Sequence, residues 1–196
     1  GGYSRWKEIA VTRWREDGTR DHHGAFCYLR ELSTGQVWST TYQPTLKPPA
    51  AYEAIFSEGR AEFRRHDVLG GEKLDGGASP MAAIETYTEI VVSPEDDIEL
   101  RRVRLTNRST QRRQIEITSY AEVVIALPAT DASHPAFSNL FVQTEIVRAR
   151  QAILCTRRPR SRDEQAPWMV HLMAVRPLEN GDVGGAGSGS VSYETD

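Results

Sequence analysis

Apolar and polar residues alternate with a period of two along much of the chain, which is the pattern of half-buried β-strands. The clearest run covers residues 84–92 and is rich in β-branched side chains. A turn is predicted at residues 93–97, where Pro94 presets the turn dihedral angle. The next strand is predicted over residues 98–106, and the shift of its apolar phase between Leu100 and Val103 indicates a bulge.

A long third strand is predicted over residues 115–125, and the three neighbouring segments together predict an antiparallel meander. Further strands are predicted at residues 24–32, 36–40, 61–65, 140–146, 152–157 and 168–175. Helical signals are weak and cover single turns at residues 52–56 and 132–138. Many short strands without long helices predict an all-β fold, an antiparallel β-sandwich.

Two Gly-rich stretches divide the predicted sandwich from its surroundings. Residues 69–83 contain two Gly pairs and Pro80, and they predict a long loop inserted in a sandwich domain of residues 1–177. Residues 178–196 predict a flexible connection and the start of a next segment. The chain begins Gly-Gly-Tyr-Ser, so we expect a truncated sandwich that belongs to a larger protein.

Composition narrows the class of protein. The 196 residues are 39% hydrophobic and 26% charged, which argues against a disordered chain, and no run approaches the roughly 18–20 apolar residues of a membrane span. With 24 basic and 27 acidic residues the net charge is −3, so we expect no nucleic-acid partner. Cys27 and Cys155 are too few for a disulfide scaffold or a metal knuckle, and we expect two reduced thiols.

The densest polar cluster covers residues 12–24, here called the 12–24 segment, and mixes Arg, carboxylates, His and Trp14. Such a mixture is typical of sugar sites, because aromatic faces stack on pyranose rings while charged groups bind hydroxyls. The alternative is a salt-bridged surface loop. His22 and His23 are adjacent and point to opposite faces of an extended segment, so no metal site is expected. No nucleophile elbow or phosphate-cradling loop occurs, and no catalytic residue is assigned.

Two further clusters of charged residues can each be interpreted in two ways. The Arg-rich stretch from Arg101 to Arg113 predicts a solvated strand face interleaved with acidic residues, and a phosphate-binding patch is the alternative. The loop at residues 131–137 places Asp131 near His134. It either lines a site or is a loop that its own Asp side chain holds in place.

Nine short motifs occur in an order that is known from one family. They are Tyr3-Ser-Arg-Trp6, Thr12-Arg-Trp-Arg-Glu-Asp17, Tyr28-Leu-Arg30, Val37-Trp-Ser39, Ser93-Pro-Glu-Asp-Asp97, Thr118-Ser-Tyr-Ala-Glu122, His134-Pro-Ala-Phe137, Phe141-Val-Gln-Thr-Glu145 and Arg157-Arg-Pro-Arg160. Together they resemble the phosphorylase-like region of cyclic β-1,2-glucan synthases. That region belongs to glycoside hydrolase family 94, formerly glycosyltransferase family 36, to which cellobiose phosphorylase is related.

The resemblance implies an N-terminal β-sandwich of the galactose-mutarotase-like, or super-sandwich, type. In the family a helical linker and an (α/α)6 barrel follow, and the barrel carries the catalytic Asp of an inverting phosphorylase or glycosyltransferase. We expect the barrel to be absent here, so this chain alone should be inactive. Inorganic phosphate is a co-substrate of the parent enzyme, and no other cofactor is expected.

The resemblance also implies partners and a setting. A β-glucan or oligosaccharide, the helical barrel and a second copy of the chain are the expected partners. The parent is expected to be a bacterial inner-membrane protein with a cytoplasmic phosphorylase-like region, and the fragment itself to be soluble. Arg13, Arg15 and Asp17 in the 12–24 segment are the substrate-binding candidates. The alternatives are a non-catalytic dimerisation module and a sugar mutarotase that pairs a carboxylate with His22, His66, His134 or His171.

Overall fold

A computed structural model describes residues 2–17, 19–69, 83–164 and 167–175. These residues form antiparallel β-sheets with two short helices, which confirms the all-β fold class. The strands are Arg5–Trp6 (β1), Ile9–Thr12 (β2), Ala25–Glu31 (β3), Val37–Ser39 (β4), Ala51–Ser57 (β5), Arg60–Val68 (β6), Ala83–Val92 (β7), Glu99–Asn107 (β8), Ile115–Ala121 (β9), Val123–Ala126 (β10), Val142–Val147 (β11), Ala152–Arg157 (β12) and Met169–Leu172 (β13). The helices are Pro128–Ser133 (α1) and Pro135–Asn139 (α2). The predicted loop at 69–83 and the predicted connection at 178–196 lie almost wholly outside the described residues.

The chain divides into two compact units. The first comprises Gly1–Gly2 and Arg15–Ala121, and the second comprises Tyr3–Trp14 and Glu122–Asp196. Each unit contains two of the four sheets.

In the first unit a three-stranded sheet, ordered β4-β3-β9, packs on a four-stranded sheet, ordered β5-β6-β7-β8. Leu29 and Trp38 come from the smaller sheet and Ile84 from the larger one, and all three are almost fully buried in one cluster. Burial of such side chains contributes roughly 1.5–3 kcal/mol each, so this layer is the main core of the unit.

Strand β5 replaces the helical turn predicted at residues 52–56, and that prediction is wrong. The strand pairs residue by residue with β6, from Ala51 opposite His66 to Ser57 opposite Arg60. Gly59, with φ +68°, makes a tight connection between the two strands. The hairpin supplies a complete ladder of backbone hydrogen bonds, which one isolated helical turn cannot.

The predicted bulge in β8 is absent, because β7 and β8 keep an unbroken register from Ile84 opposite Asn107 to Val92 opposite Glu99. The phase shift has another cause. Leu100 is exposed, while Arg101 takes the partly buried position and its Nη1 donates to the Ala25 carbonyl at 2.7 Å. A hydrogen-bonded Arg therefore occupies a place where the pattern leads one to expect an apolar residue.

The long strand predicted over residues 115–125 is also wrong as a single element, and so is the meander. It divides at Glu122 into β9, which pairs with β3 in the first unit, and β10, which pairs with β2 in the second. The Glu122 carbonyl accepts the Arg13 backbone N–H at 2.8 Å, and Ile125 has a positive φ of 44°. The hydrogen bond joins this part of the chain to the end of β2, and the positive φ of Ile125 accompanies a shift in the β10–β2 register between Val123 and Ala126.

The second unit contains the sheets β1-β2-β10 and β11-β12-β13, with α1 and α2 between β10 and β11. The helical turn predicted at residues 132–138 overlaps most of α2 but only the end of α1, and β12 has the bounds predicted for it. No helix in the described part of the chain has the length and apolar character needed to cross a membrane.

Candidate functional site

A cavity of about 240 Å³ lies in the first unit, beside strand β5. Its walls come from three stretches of sequence: the end of the 12–24 segment, the loop after β4, and the hairpin β5–β6. The lining residues are Asp21, Thr41, Tyr42, Gln43, Tyr52, Phe56 and Phe63. Four of the seven are aromatic, so we call it the aromatic cavity.

Three of the four aromatic rings are in contact, with Phe63 between the other two. Tyr52 and Phe56 lie on the same face of β5 because side chains alternate along a strand. The Tyr52 ring stacks on the ring of Phe63 with 6.5 Å between centroids, and the Phe56 ring meets Phe63 edge-on at 5.8 Å. Phe56 is 72% exposed, whereas Phe63 is buried beneath the other two. The cavity therefore exposes the Phe56 ring to solvent, and the buried Phe63 ring lies beneath it.

Polar groups stand beside these rings. Burial raises the pKa of the Tyr52 hydroxyl, the negative charge of Asp21 raises it further, and the Tyr42 backbone and Arg65 oppose the shift. The Tyr52 hydroxyl therefore stays protonated at neutral pH and lies within electrostatic range of the Asp21 carboxylate. Thr41 and Gln43 add a hydroxyl and an amide to the wall. The cavity thus combines apolar ring faces with hydrogen-bonding groups.

A buried ion pair holds the loop of residues 41–47, here called the 41–47 loop. Arg65 and Asp67 are fully buried, and two guanidinium nitrogens donate to the two Asp67 carboxylate oxygens at 2.7 and 2.8 Å. Arg65 also donates to the carbonyls of Thr41, at 3.2 Å, and of Lys47, at 2.8 Å. The ends of the loop are therefore fixed to the sheet beneath them.

The second unit contains a polar cluster, the Arg13 cluster, in which the buried Arg13 and Asp131 bond to one another and Arg13 also bonds to the partly buried Glu122 and the exposed Asn139. Arg13 Nε and Nη2 donate to the two carboxylate oxygens of Asp131 at 3.0 and 2.9 Å, and Nη2 donates to Asn139 Oδ1 at 2.6 Å. Nη1 donates to Glu122. The hydrogen bond with Asp131 raises the pKa of Arg13, which stays charged. One interpretation of the sequence was that the Asp131 side chain holds its own loop in place. In the structure the Asp131 carboxylate accepts hydrogen bonds from Arg13, which is far away in the sequence.

Arg157, at the end of β12, contacts β10 and α2. Its Nη1 donates to the carbonyls of Val124 at 3.0 Å and of Ser138 at 3.1 Å, and its guanidinium lies over the Phe141 ring. Burial lowers its pKa, and the nearby charge of Arg160 adds to the effect. Motif residues that are far apart in sequence thus meet around α2, where their polar groups bond to one another.

The three predicted sugar-contacting residues are divided between the two units. Arg13 is buried in the second unit, while Arg15 and Asp17 belong to the first. Asp17 is exposed, and hydrogen bonds from Thr19 to its carboxylate lower its pKa. Their contact with sugar stays a prediction. Asp21, at the end of the same segment, does line the aromatic cavity.

Charged residues of the larger sheet pair on its outer face. Arg60 bonds to Glu62 and Glu89, and Arg108 bonds to Glu85. Within the Arg-rich stretch, Arg102 and Arg108 are exposed and pair with Glu89 and Glu85, as expected of a solvated strand face, whereas Arg101 is partly buried. His66 lies on this face with Nε2 3.9 Å from Glu85, outside the aromatic cavity. Among the described residues, no three His, Cys, Asp or Glu side chains gather as metal ligands do.

Comparison with known proteins places these features in context. The family model described as "Glycosyl hydrolase 94, supersandwich domain" matches residues 1–196. The cyclic beta-(1,2)-glucan synthase NdvB of Rhizobium meliloti is 37% identical over 172 residues, which is 88% of this chain and 6% of that protein.

Two phosphorylases are also similar. N,N'-diacetylchitobiose phosphorylase of Vibrio furnissii is 29% identical over 74% of this chain and 17% of its own length. Solabiose phosphorylase of Paenibacillus borealis is 27% identical over 50% of this chain and 11% of its own length. The chain therefore spans less than a fifth of each of these relatives.

Proposed function

Since this chain belongs to the supersandwich-domain family of glycosyl hydrolase 94, we propose that it is the sugar-binding and scaffold domain of a bacterial enzyme that acts on β-1,2-glucan. The parent is a glycosyltransferase or an inverting phosphorylase. Its catalytic Asp lies on a separate helical barrel, which takes inorganic phosphate as co-substrate. The parent sits in the inner membrane with this region on the cytoplasmic side.

The observation that carries the scaffold role is the use made of the motif residues in the second unit. The motif residues Arg13 and Arg157 are buried, and they donate hydrogen bonds to Asp131 and to the Val124 carbonyl of the same unit. Buried side chains that bond within the protein in this way stabilise the fold and do not contact a substrate. The buried motif residues therefore favour a scaffold role, in which this domain is a stable structural support for a catalytic domain.

A direct assay tests the proposal. The purified chain is incubated with a β-1,2-gluco-oligosaccharide and inorganic phosphate, and glucose 1-phosphate is measured with a coupled enzyme. We expect no release above the phosphate-free control, together with detectable binding of the oligosaccharide in a titration. Steady release of glucose 1-phosphate would contradict the non-catalytic role, and absence of binding at millimolar sugar would contradict sugar binding.

A dimerisation module is the second candidate, and strand β5 favours it. The strand forms the edge of its sheet, and all seven of its residues are exposed. Unpaired backbone groups along such an edge are a template for pairing with a second chain. Light scattering over a range of concentrations tests this, since a dimer without sugar binding would favour the module and a strict monomer would argue against it.

A further inference from the structure

We propose that the aromatic cavity binds one uncharged pyranose ring of an oligosaccharide. The inference rests on the sugar-binding role proposed above and names its site and ligand class. The cavity residues Asp21, Tyr52 and Phe56 were not among the substrate-binding candidates that the sequence motifs gave. Three features of the cavity support the assignment: its rings, its charge and its fixed wall.

The rings supply the apolar half of a sugar site. One face of a pyranose ring presents C–H groups, which pack against an aromatic ring while the hydroxyl groups point outward. Phe56 is 72% exposed on the β5 edge, and its edge-on contact with Phe63 fixes its position. Tyr52 adds a second ring, with its hydroxyl beside the Tyr42 backbone. Together they provide a stacking surface at the mouth and a wall within.

The polar groups select an uncharged ligand. Asp21 accepts hydrogen bonds, the Gln43 amide and Thr41 hydroxyl both donate and accept, and among the described lining residues none is basic. A sugar hydroxyl suits these groups, whereas the carboxylate of a uronic acid would meet the negative charge of Asp21. Drug-sized ligands fill pockets of about 300–1,000 Å³. A cavity of about 240 Å³ therefore suits one ring, with the rest of the oligosaccharide outside.

Hydrogen bonds within the protein hold the 41–47 loop, which forms one wall of the cavity. Arg65, neutralised by Asp67, ties the carbonyls of Thr41 and Lys47 to the sheet. Ser39 Oγ also lies within hydrogen-bond distance of the Thr41 and Gln43 carbonyls, at 2.7 and 3.0 Å. Binding then requires little ordering of the 41–47 loop, which favours measurable affinity for a small neutral ligand.

The experiment titrates the whole chain with three probes and follows ligand signals by saturation-transfer NMR. The probes are sophorose, methyl β-glucoside and methyl β-glucuronide. We expect the two glucosides to bind and the glucuronide to bind more weakly. Phe56→Ala should weaken sophorose binding about fivefold through the lost ring contact. Asp21→Asn should weaken it and also reduce the discrimination against glucuronide. Both side chains are exposed, so neither change threatens the fold.

Trp168→Ala is the matched control, because Trp168 is an aromatic residue 63% exposed that does not line the cavity. It should leave sophorose affinity unchanged. Wild-type binding that survives Phe56→Ala and Asp21→Asn overturns this site while the sugar-binding role stands. No wild-type binding overturns both. A third outcome also overturns the proposal: the wild type is a dimer, Phe56→Ala converts it to a monomer, and sugar affinity does not change. The β5 face that carries Phe56 would then bind a second copy of the chain.

Discussion

Replacing Arg13 with methionine removes the cation at the centre of the Arg13 cluster while keeping most of the apolar stem. The Arg13 side chain bonds to both oxygens of Asp131, at 3.0 and 2.9 Å, and to Asn139 Oδ1 at 2.6 Å. Asp131 is 2% exposed. In the variant this carboxylate stays out of water and loses the two hydrogen bonds that Arg13 donates to it.

The size of the effect follows from that burial. Removal of one partner from a buried ion pair costs about 3–5 kcal/mol, because the remaining carboxylate loses the hydrogen bonds and the charge that this partner supplies. Arg30→Met is the matched control, since Arg30 also faces a carboxylate, that of Glu116 at 3.7 Å, but its side chain is 57% exposed. An exposed pair of this kind contributes under about 1 kcal/mol, so the two substitutions should differ severalfold.

Urea unfolding followed by far-UV circular dichroism measures the free energy of unfolding, and urea leaves ion pairs unscreened. We expect Arg13→Met to lose about 3–5 kcal/mol and Arg13→Met/Asp131→Leu to recover part of that loss, since the double variant no longer buries the carboxylate at position 131. A cost for Arg13→Met no greater than that of Arg30→Met would refute the structural role of the cluster. Arg13 would then be available for the sugar contact predicted from the sequence.

Three other predictions concern the charge, the thiols and the backbone of the chain. Hydrogen bonds from Ser33 and Thr34 lower the pKa of Glu31 from 4.5 to about 2, so Glu31→Gln should be less stable than wild type at pH 7, and the difference should shrink as pH falls from about 4.5 towards 2. A difference in unfolding free energy that is the same at pH 7 and pH 2.5 would contradict this. Burial raises the pKa of the Cys27 thiol to about 11 and also raises that of Cys155, so both should react slowly with Ellman's reagent until urea unfolds the chain. Rapid labelling of two thiols in the native protein is the contrary result. Gly24 has φ +106°, and a Cβ there would lie 2.4 Å from the Gly2 carbonyl oxygen, so Gly24→Ala should cost about 1–3 kcal/mol. Gly35→Ala, at φ +69° with open space around it, should cost less, and equal melting temperatures for the two variants would argue against the close approach.

Strands with strong local patterns were predictable from the sequence. β7 and β12 lie within a residue of their predicted bounds, because β-branched residues alternate through β7 and β12 begins with a short run of apolar residues. The single strand expected over residues 115–125 was not resolved into β9 and β10, since its two halves have the same alternation and differ only in their partners. Partner choice depends on residues far away in the chain, which a local pattern does not record.

The candidate site was predictable only in part, for the same reason. The 12–24 segment was singled out for its polar residues, and Asp21 from that segment lines the aromatic cavity. Tyr52 and Phe56 were missed because residues 52–56 were interpreted as a helical turn. The pairing of β5 with β6 brings them to Phe63, and the Arg65–Asp67 pair brings the 41–47 loop over them. Arg13 is the opposite case: the sequence suggested a sugar contact for it, but in the structure Arg13 is buried and bonds to Asp131.

Mapping of amide shifts tests the central claim most directly, namely that this supersandwich domain binds sugar at the aromatic cavity. The ¹⁵N-labelled chain is titrated with sophorose, and shift changes are followed residue by residue. The account predicts saturable changes that cluster at Asp21, in residues 41–43 and in residues 52–56, with the second unit unaffected. Saturable changes that cluster elsewhere, or no changes at millimolar sophorose, would contradict it.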